Sequence, residues 1–240
     1  DTFPHANYVV NAAGTAYLAE VAKRCGVKKF IFPSTCSVYG YISHEADELE
    51  NCKPSFAYGI SKLMAEKALF ALAGVDFKPV ILRKGTVSGV SSHMRFDLLI
   101  NTMVKNALIN KKIIVYDSQA YRPVVDIRDV ISAYSLALKL REGIYNIAED
   151  NYRILDLAYR VGNELKKHGY PCEIEVLDTK EFRNYRVNTQ KIKHLGWQPQ
   201  YKPEDTVRDL IKKIKIENIN VENREYLNIE KWKDWVNQGD

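Results

Sequence analysis

Phe30-Ile31-Phe32-Pro33-Ser34-Thr35-Cys36-Ser37-Val38-Tyr39-Gly40, with Phe56-Ala57-Tyr58-Gly59-Ile60-Ser61-Lys62 shortly after it, decides how the rest of this chain is read. The first segment is an apolar strand that runs into a hydroxyl-rich turn. The second is a Tyr-x-x-x-Lys pair at the start of a helix. Spaced i, i+4, Tyr58 and Lys62 project from one helix face, one above the other. A tyrosine near pKa 10 is a poor base at neutral pH, and an adjacent ammonium favours its phenolate. Lowering it by roughly 3 units takes about 4 kcal/mol, within reach of a close, partly desolvated cation. Thr35, at the strand's end, offers a hydroxyl to the same substrate oxygen. The Tyr-x-x-x-Lys spacing alone is a common accident on solvated helix faces; the turn upstream and the segments downstream give it weight.

Outward from these motifs the chain alternates. Asn7 to Cys25 has apolar residues at helical spacing and ends at Gly26, a good residue to follow a helix. Val27 to Pro33 is a short buried strand. Ser55 is placed to cap the helix of Tyr58 and Lys62, which runs through Leu72 and stops at Gly74. Phe77 to Arg83 is the next strand, and this alternation predicts a parallel sheet with crossover helices. Beyond Gly89, helices are expected at Asp97 to Asn110, Val130 to Leu140, Leu155 to His168, Thr189 to Leu195 and Pro203 to Ile216. Strands are expected at Ile113 to Tyr116, Pro123 to Ile127, Gly143 to Ile147 and Cys172 to Leu177. Glu222 to Asp240, with Trp232 and Trp235, reads as an amphipathic helix packing back on the body.

At 240 residues the chain can bury a sizeable core, and 46% hydrophobic with 27% charged residues describes an ordinary soluble protein. No run reaches the length of a membrane span, and the first residues have no signal-peptide pattern. The formal charge of +5 is modest and the lysines lie mostly on helix faces, so nucleic acid is not an expected partner. Cys25, Cys36, Cys52 and Cys172 are widely spaced, with no C-x-x-C and no His at ligand spacing. Reduced thiols in a cytoplasmic protein are therefore expected, with no metal.

The two opening motifs together resemble the catalytic core of the extended short-chain dehydrogenase/reductases, the family of nucleotide-sugar epimerases, dehydratases and reductases. The resemblance continues to about residue 215. Asn11-Ala12-Ala13-Gly14-Thr15 is similar to the family's Asn-x-x-Gly-Thr. Leu82 to Gly89 is similar to the segment that passes beside the nicotinamide and the sugar, and Arg122 to Val130 to its Arg-x-Phe-x-x-Val-x-Asp-Val element. Tyr145-Asn146-Ile147 and Lys191 to Pro199 match two further signposts in order. The resemblance implies an α/β fold: a partial doubly wound, Rossmann-like parallel sheet with a smaller C-terminal α/β substrate-binding region. Residues 1–90 and 123–150 would form the remainder of the dinucleotide-binding domain, and 91–122 and 151–240 the nucleotide-sugar region. It implies NAD as cofactor, with Asn11, Ser34, Tyr58 and Lys62 toward it; Thr35, Tyr58 and Lys62 as catalytic residues; and Thr35, Thr86, Asn101, Arg122 and Arg186 toward the nucleotide sugar. Arg122 and Arg186 suit a diphosphate because a guanidinium meets phosphate oxygens bidentately. Asn11 as a helix cap, and Arg122 and Arg186 as plain surface arginines, are the bland alternatives. Asp129 is expected to cap the helix beginning at Val130. Relatives usually form homodimers through the Tyr58 helix and the one before it, where Met64, Leu69 and Phe70 are candidates for the contact or for the core.

Departures from the family are equally informative. Its dehydratases carry Asp-Glu after the Thr, where this chain has Cys36 and Ser37, neither a competent acid at neutral pH. Lys84, Gly85 and Thr86 replace the bulky or aromatic residues and the Asn of many galactose epimerases. No G-x-x-G-x-x-G occurs; the family's phosphate loop would precede Asp1, in two to three βαβ units of roughly 60–90 residues. Without them the strand at Lys28 to Pro33 is expected to present an unpaired edge. The leading expectation is an NAD-dependent nucleotide-sugar 4-epimerase of UDP-hexose type. A reductase or decarboxylase using the same Tyr58 and Lys62 is the alternative, as is a truncated, non-catalytic binding chain.

Overall fold

The computed structural model describes residues 3–177, 179, 184–228, 230, 231 and 233. The chain opens with one continuous helical rod: α1 (Pro4–Asn7), a π-helical stretch Tyr8–Gly14 and α2 (Thr15–Arg24). It feeds β1 (Lys29–Thr35), whose C-terminal end turns through a 3-10 segment, Cys36–Tyr39. A two-residue strand, β2 (Glu45–Ala46), precedes α3 (Ala57–Leu72), which returns the chain to β3 (Lys78–Lys84). Then come β4 (Thr86–Ser88), α4 (Leu99–Asn110), β5 (Lys112–Val115), β6 (Tyr121–Asp126), α5 (Ile127–Ala137) and β7 (Gly143–Ile147). The last third holds β8 (Asp150–Arg153), α6 (Ile154–Lys167), β9 (Glu173–Val176), β10 (Arg186–Val187), α7 (Gln190–His194) and α8 (Pro203–Ile216).

The central sheet runs β1-β3-β7, all parallel, with Thr35 opposite Lys84 and Lys84 opposite Ile147. Parallel neighbours need crossover connections, and here they are helical, as the alternating sequence predicts. Side chains from the two faces of β3 separate the packing. Ile81 joins Phe32, Ala65, Leu69 and Phe77 under α2 and α3, while Val80 and Leu82 join Val130, Ala133 and Ala137 of α5. Among the described residues no strand pairs with the other edge of β1. The remaining strands form smaller units: parallel β4–β6 with antiparallel β8, parallel β5–β9, and parallel β2–β10.

A separate apolar core lies under α4, α6 and α8, built on Phe96, Ile100, Ile113, Leu157, Val161 and Leu210. Ile192 of α7 and Trp197 just after it pack instead with the central sheet, so that core draws on residues from the 151–240 region. Tyr226 meets Phe96 edge-on at 5.6 Å between ring centres, which anchors the start of the final segment. Trp232 and Trp235 lie outside the described residues.

Two expected caps are reassigned. Ser55 does not cap α3, whose N-cap is Phe56 with no side-chain bond. Asp126, not Asp129, caps α5, accepting from the Arg128 amide. Asp129 instead accepts from the amides of Gln200 and Tyr201 at 2.9 and 3.0 Å, holding the loop that leads to α8. Leu69 is fully buried and belongs to the core, whereas Met64 and Phe70 are exposed.

Between α3 and the sheet sits a buried ion pair. Arg83 donates to both carboxylate oxygens of Glu66, at 2.6 Å from Nη2 to Oε2 and 3.1 Å from Nε to Oε1. Ser34 donates to the same carboxylate, and Arg83 Nη1 donates to the Tyr39 hydroxyl at 3.1 Å. Both side chains of the pair are 4% exposed or less. Glu66→Ala strands a buried guanidinium and is expected to cost about 3–5 kcal/mol of unfolding free energy, read from urea denaturation. The apolar double variant Glu66→Leu/Arg83→Met is expected to cost clearly less than the single one.

Candidate active site

The site forms where the parallel strands end. Thr35 closes β1 and caps the 3-10 turn, its hydroxyl accepting from the Ser37 amide at 3.1 Å. Gly40 ends that turn with φ +76, a left-handed conformation natural to glycine, and there the backbone lies against the Lys53 carbonyl. The first turn of α3 approaches the 3-10 segment unusually closely. A Cβ on Gly59 would lie 2.8 Å from the Ser37 carbonyl oxygen and 2.9 Å from Pro54 Cβ. Glycine between Tyr58 and Ile60 is what lets the helix bring Tyr58 against the end of β1.

Tyr58 is 42% exposed, yet its phenol is pushed up from its ordinary value, chiefly by desolvation. A hydrogen bond with Thr35 opposes the shift, as does the charge of Arg95. The expected lowering of the phenol is therefore not what this packing gives: desolvation outweighs the Thr35 hydrogen bond and the charge of Arg95. The Lys62 ammonium, in a residue only 8% exposed, lies over the Phe32 ring at 4.3 Å. A buried ammonium seeks such a face when better partners are engaged elsewhere. Burial first, and the charge of Lys84 second, push Lys62 down to about 8, against the opposing pull of Glu66.

The other predicted contacts divide. Ser34 is committed to Glu66, and the Asn11 amide donates to Asn7 Oδ1 at 3.1 Å and Ser61 Oγ at 3.3 Å, within the helix pair rather than at a cap. Asn101 clamps Gly89, accepting from its amide and donating to its carbonyl, both at 3.1 Å. Thr86 and Arg122 come together, lining one cavity of about 350 Å³ with Leu98, Asn106, Tyr116 and Asp117. Arg122 is 6% exposed, its guanidinium over the Tyr185 ring. Arg186 donates to the Ser43 carbonyl at 2.8 Å and lies over Tyr121. Sequence reasoning missed Tyr185, whose hydroxyl meets Ser37 Oγ at 3.2 Å, because its link to the turn spans 148 residues.

A parallel sheet crossed by helices, with a hydroxyl turn and a Tyr-x-x-x-Lys helix at the strands' C-terminal ends, defines a protein of the extended short-chain dehydrogenase/reductase type. Residues 2–148 match the NAD dependent epimerase/dehydratase family, and the chain belongs to it. The mouse dTDP-D-glucose 4,6-dehydratase is 28% identical over 214 residues, covering 84% of this chain and 60% of that one. The UDP-glucose 4-epimerase of Vibrio cholerae is 38% identical over 100 residues, covering 40% of this chain and 30% of that one. Among solved structures, dTDP-glucose 4,6-dehydratase from Bacillus anthracis in complex with NAD aligns with a TM-score of 0.77 at 25% identity, over 96% of this chain and 73% of that one. UDP-glucuronic acid 4-epimerase from Bacillus cereus, in complex with UDP-glucuronic acid and NAD, aligns with a TM-score of 0.74 at 25% identity, over 86% and 68%. The chain spans about 60% of the length of the dehydratases it matches.

The depressed Lys62 has a measurable consequence. Its ordinary value is 10.5 and its folded value about 8, so between these the unfolded chain holds a proton that the folded chain has released. Stability therefore rises with pH across that window, and the full penalty is present below pH 8. The difference corresponds to about 3 kcal/mol at most, offset in part by the Phe32 contact. Lys62→Met is expected to raise the thermal midpoint at pH 7 and to flatten the rise between pH 8 and 9.5, read by calorimetry.

Proposed function

We propose that the chain carries the catalytic residues of an NAD-dependent nucleotide-sugar 4-epimerase of UDP-hexose type. The observation that carries this reading is the junction of Thr35 and Tyr58 at the end of β1 with a turn that holds no acid. Cys36, where dehydratases of the family carry Asp, is fully buried. Its thiol donates to the Arg83 carbonyl at 3.2 Å, and burial pushes it far above its ordinary value. The Ser37 hydroxyl is too weak an acid to protonate a leaving group at neutral pH. Without an acid–base pair beside the sugar, elimination of water has no proton donor, whereas exchange at a single carbon needs only Tyr58 and Thr35.

NAD fits the site at its nicotinamide-ribose end, where Tyr58 and Lys62 present a phenol and an ammonium on one helix face. When bound it supplies the acceptor and donor of hydride at C4. Tyr58 takes the proton from the sugar 4-hydroxyl and returns it, and Thr35 holds that oxygen by a hydrogen bond. Thr86 and Arg122 face the cavity, whose volume suits the nucleoside diphosphate, with Arg122 toward the phosphates and Arg186 at the rim. Asn101 acts through Gly89, fixing the loop between β4 and α4. Ser34 and Asn11 serve the site through Glu66 and the helix pair. A cytoplasmic homodimer is the accompanying reading. Its support is four unpaired cysteines, no helix of the described residues long and apolar enough to cross a membrane, and exposed Tyr17, Leu18, Met64 and Phe70 on α2 and α3.

Supplied with NAD, the protein is expected to interconvert UDP-glucose and its 4-epimer with no net change in NADH absorbance. Formation of a 4-keto-6-deoxy sugar, or stoichiometric NADH consumption, would sink the reading in favour of a dehydratase or a reductase. Tyr58→Phe is expected to lower turnover at least 100-fold. In the absence of NAD, calorimetric titration of UDP is expected to show binding that Arg122→Ala weakens by about tenfold or more.

A further inference from the structure

The side chains at the end of β1 form a line of hydroxyls longer than the proposed chemistry requires. Thr35 hydrogen-bonds the Tyr58 phenol. Thr35 Oγ1 lies 3.1 Å from Ser37 Oγ, and Ser37 Oγ lies 3.2 Å from the Tyr185 hydroxyl. Tyr185 is 5% exposed and comes from the segment ahead of β10, while the other three come from β1, its turn and α3. Thr35 Oγ1 has one proton and two lone pairs, and one lone pair is already taken by the Ser37 amide.

That inventory permits two arrangements of the line. With Tyr58 neutral, its O–H donates to Thr35, Thr35 donates to Ser37, and Ser37 donates to Tyr185. With Tyr58 ionised, Thr35 must turn its single proton to the phenolate. Its open lone pair then takes the Ser37 proton, and Ser37 takes that of Tyr185. No proton leaves its oxygen in the change; each hydroxyl rotates. The two heavy-atom distances accept either direction, and such chains polarise one another, so the donors add to the stabilisation of the anion.

We propose that Ser37 and Tyr185 are positioning residues of the same site, acting through Thr35 as a reversible line of hydroxyl donors that turns toward Tyr58 when its phenol ionises. This deepens the reading of Tyr58 as the base and rests on it. It also gives Ser37 a task distinct from the acid role of the dehydratase residue at its position. The groups that bear on Tyr58 are Thr35 at the end of β1, Cys36 in the turn after it, Tyr185 ahead of β10 and Arg95 ahead of α4, with Lys62 one turn along its own helix. Of these, Tyr185 reaches Tyr58 through the hydroxyl line as well as through space.

The test places 3,5-difluorotyrosine at position 58 of the 240-residue chain, since ring fluorines bring the phenol's ionisation into the range where proteins stay folded. Its midpoint is followed by fluorine NMR, with circular dichroism as the check of folding. Ser37→Ala is expected to raise the midpoint by on the order of half a pH unit or more. Tyr185→Phe, which keeps the ring under Arg122, is expected to raise it less. The double variant is expected to match Ser37→Ala alone, because breaking the line at Ser37 already disconnects Tyr185. Ser37→Thr, at a half-buried position, is expected to restore the midpoint. An unchanged midpoint in Ser37→Ala, or additive shifts in the double variant, would overturn the proposal. The titration needs neither NAD nor a sugar. A Tyr58→Phe protein that keeps full turnover would therefore remove the base assignment and leave the hydroxyl line standing.

Discussion

The arrangement of the site depends on one buried ion pair, Glu66 with Arg83. In a parallel α/β sheet the ladder of backbone bonds stops at the C-terminal ends of the strands, and the ligand lies just beyond them. Something other than the ladder must then fix those ends relative to one another. Glu66, on α3, holds Ser34 of β1 and Arg83 of β3, and Arg83 holds Tyr39 of the turn. Tyr39 donates to Asn146 of β7 at 2.7 Å, and Asn146 donates to the Asn188 carbonyl at 3.1 Å while its amide meets Glu48 at 2.8 Å. One connected polar core thus ties three strand ends, the helix of Tyr58 and Lys62, and the segment after β10. Burying two charges is costly unless every donor and acceptor is used, and here the pair's remaining groups are taken by Ser34 and Tyr39.

Tyr58, Lys62 and Glu66 follow one another at i, i+4, so the ion pair anchors the same helix face that presents Tyr58 and Lys62. Gly59 supplies the complementary condition on the adjacent face, where its missing side chain lets α3 close on the Ser37 carbonyl. Anchor and contact together set the height of Tyr58 over the end of β1. Lys62 sits between them in a place that is poor for an ammonium, and its lowered proton affinity follows. Burial and the nearby charge of Lys84, rather than a carboxylate partner, set the state of this ammonium.

Much of this was legible in the sequence, for identifiable reasons. Helices and strands with strong periodicity lie within a few residues of their expected bounds; β7 and α8 coincide with theirs. The strands that escaped reading, β2, β4, β8 and β10, have two to four residues each, too few for alternation to register. Local motifs carried the site: the hydroxyl turn and Tyr-x-x-x-Lys are each readable in a short stretch, and the family resemblance, rather than spacing, joined Thr35 to Tyr58 across the intervening loop. Long-range partnerships carried no such signal. That Ser34 and Asn11 serve neighbours, that Asn101 clamps Gly89 and that Asp129 secures the approach to α8 all depend on contacts that spacing does not encode.

The position after Thr35 then separates the two activities represented among the relatives. A dehydratase must move protons at two further sugar carbons, which requires groups that exchange protons near neutrality and face the substrate. Cys36 fails on both counts, its thiol turned to the Arg83 carbonyl inside the polar core. Its side chain belongs to the support of the site rather than to its surface, and the network that fixes Tyr58 is also what removes Cys36 from reach. Ser37, facing Tyr185 instead of an acid's partner, adds hydrogen bonds without adding charge. Under the proposed reading, the turn then offers the sugar hydroxyls from Thr35 and Ser37 and no carboxylate, which fits proton exchange at one oxygen and not the paired acid and base that loss of water requires.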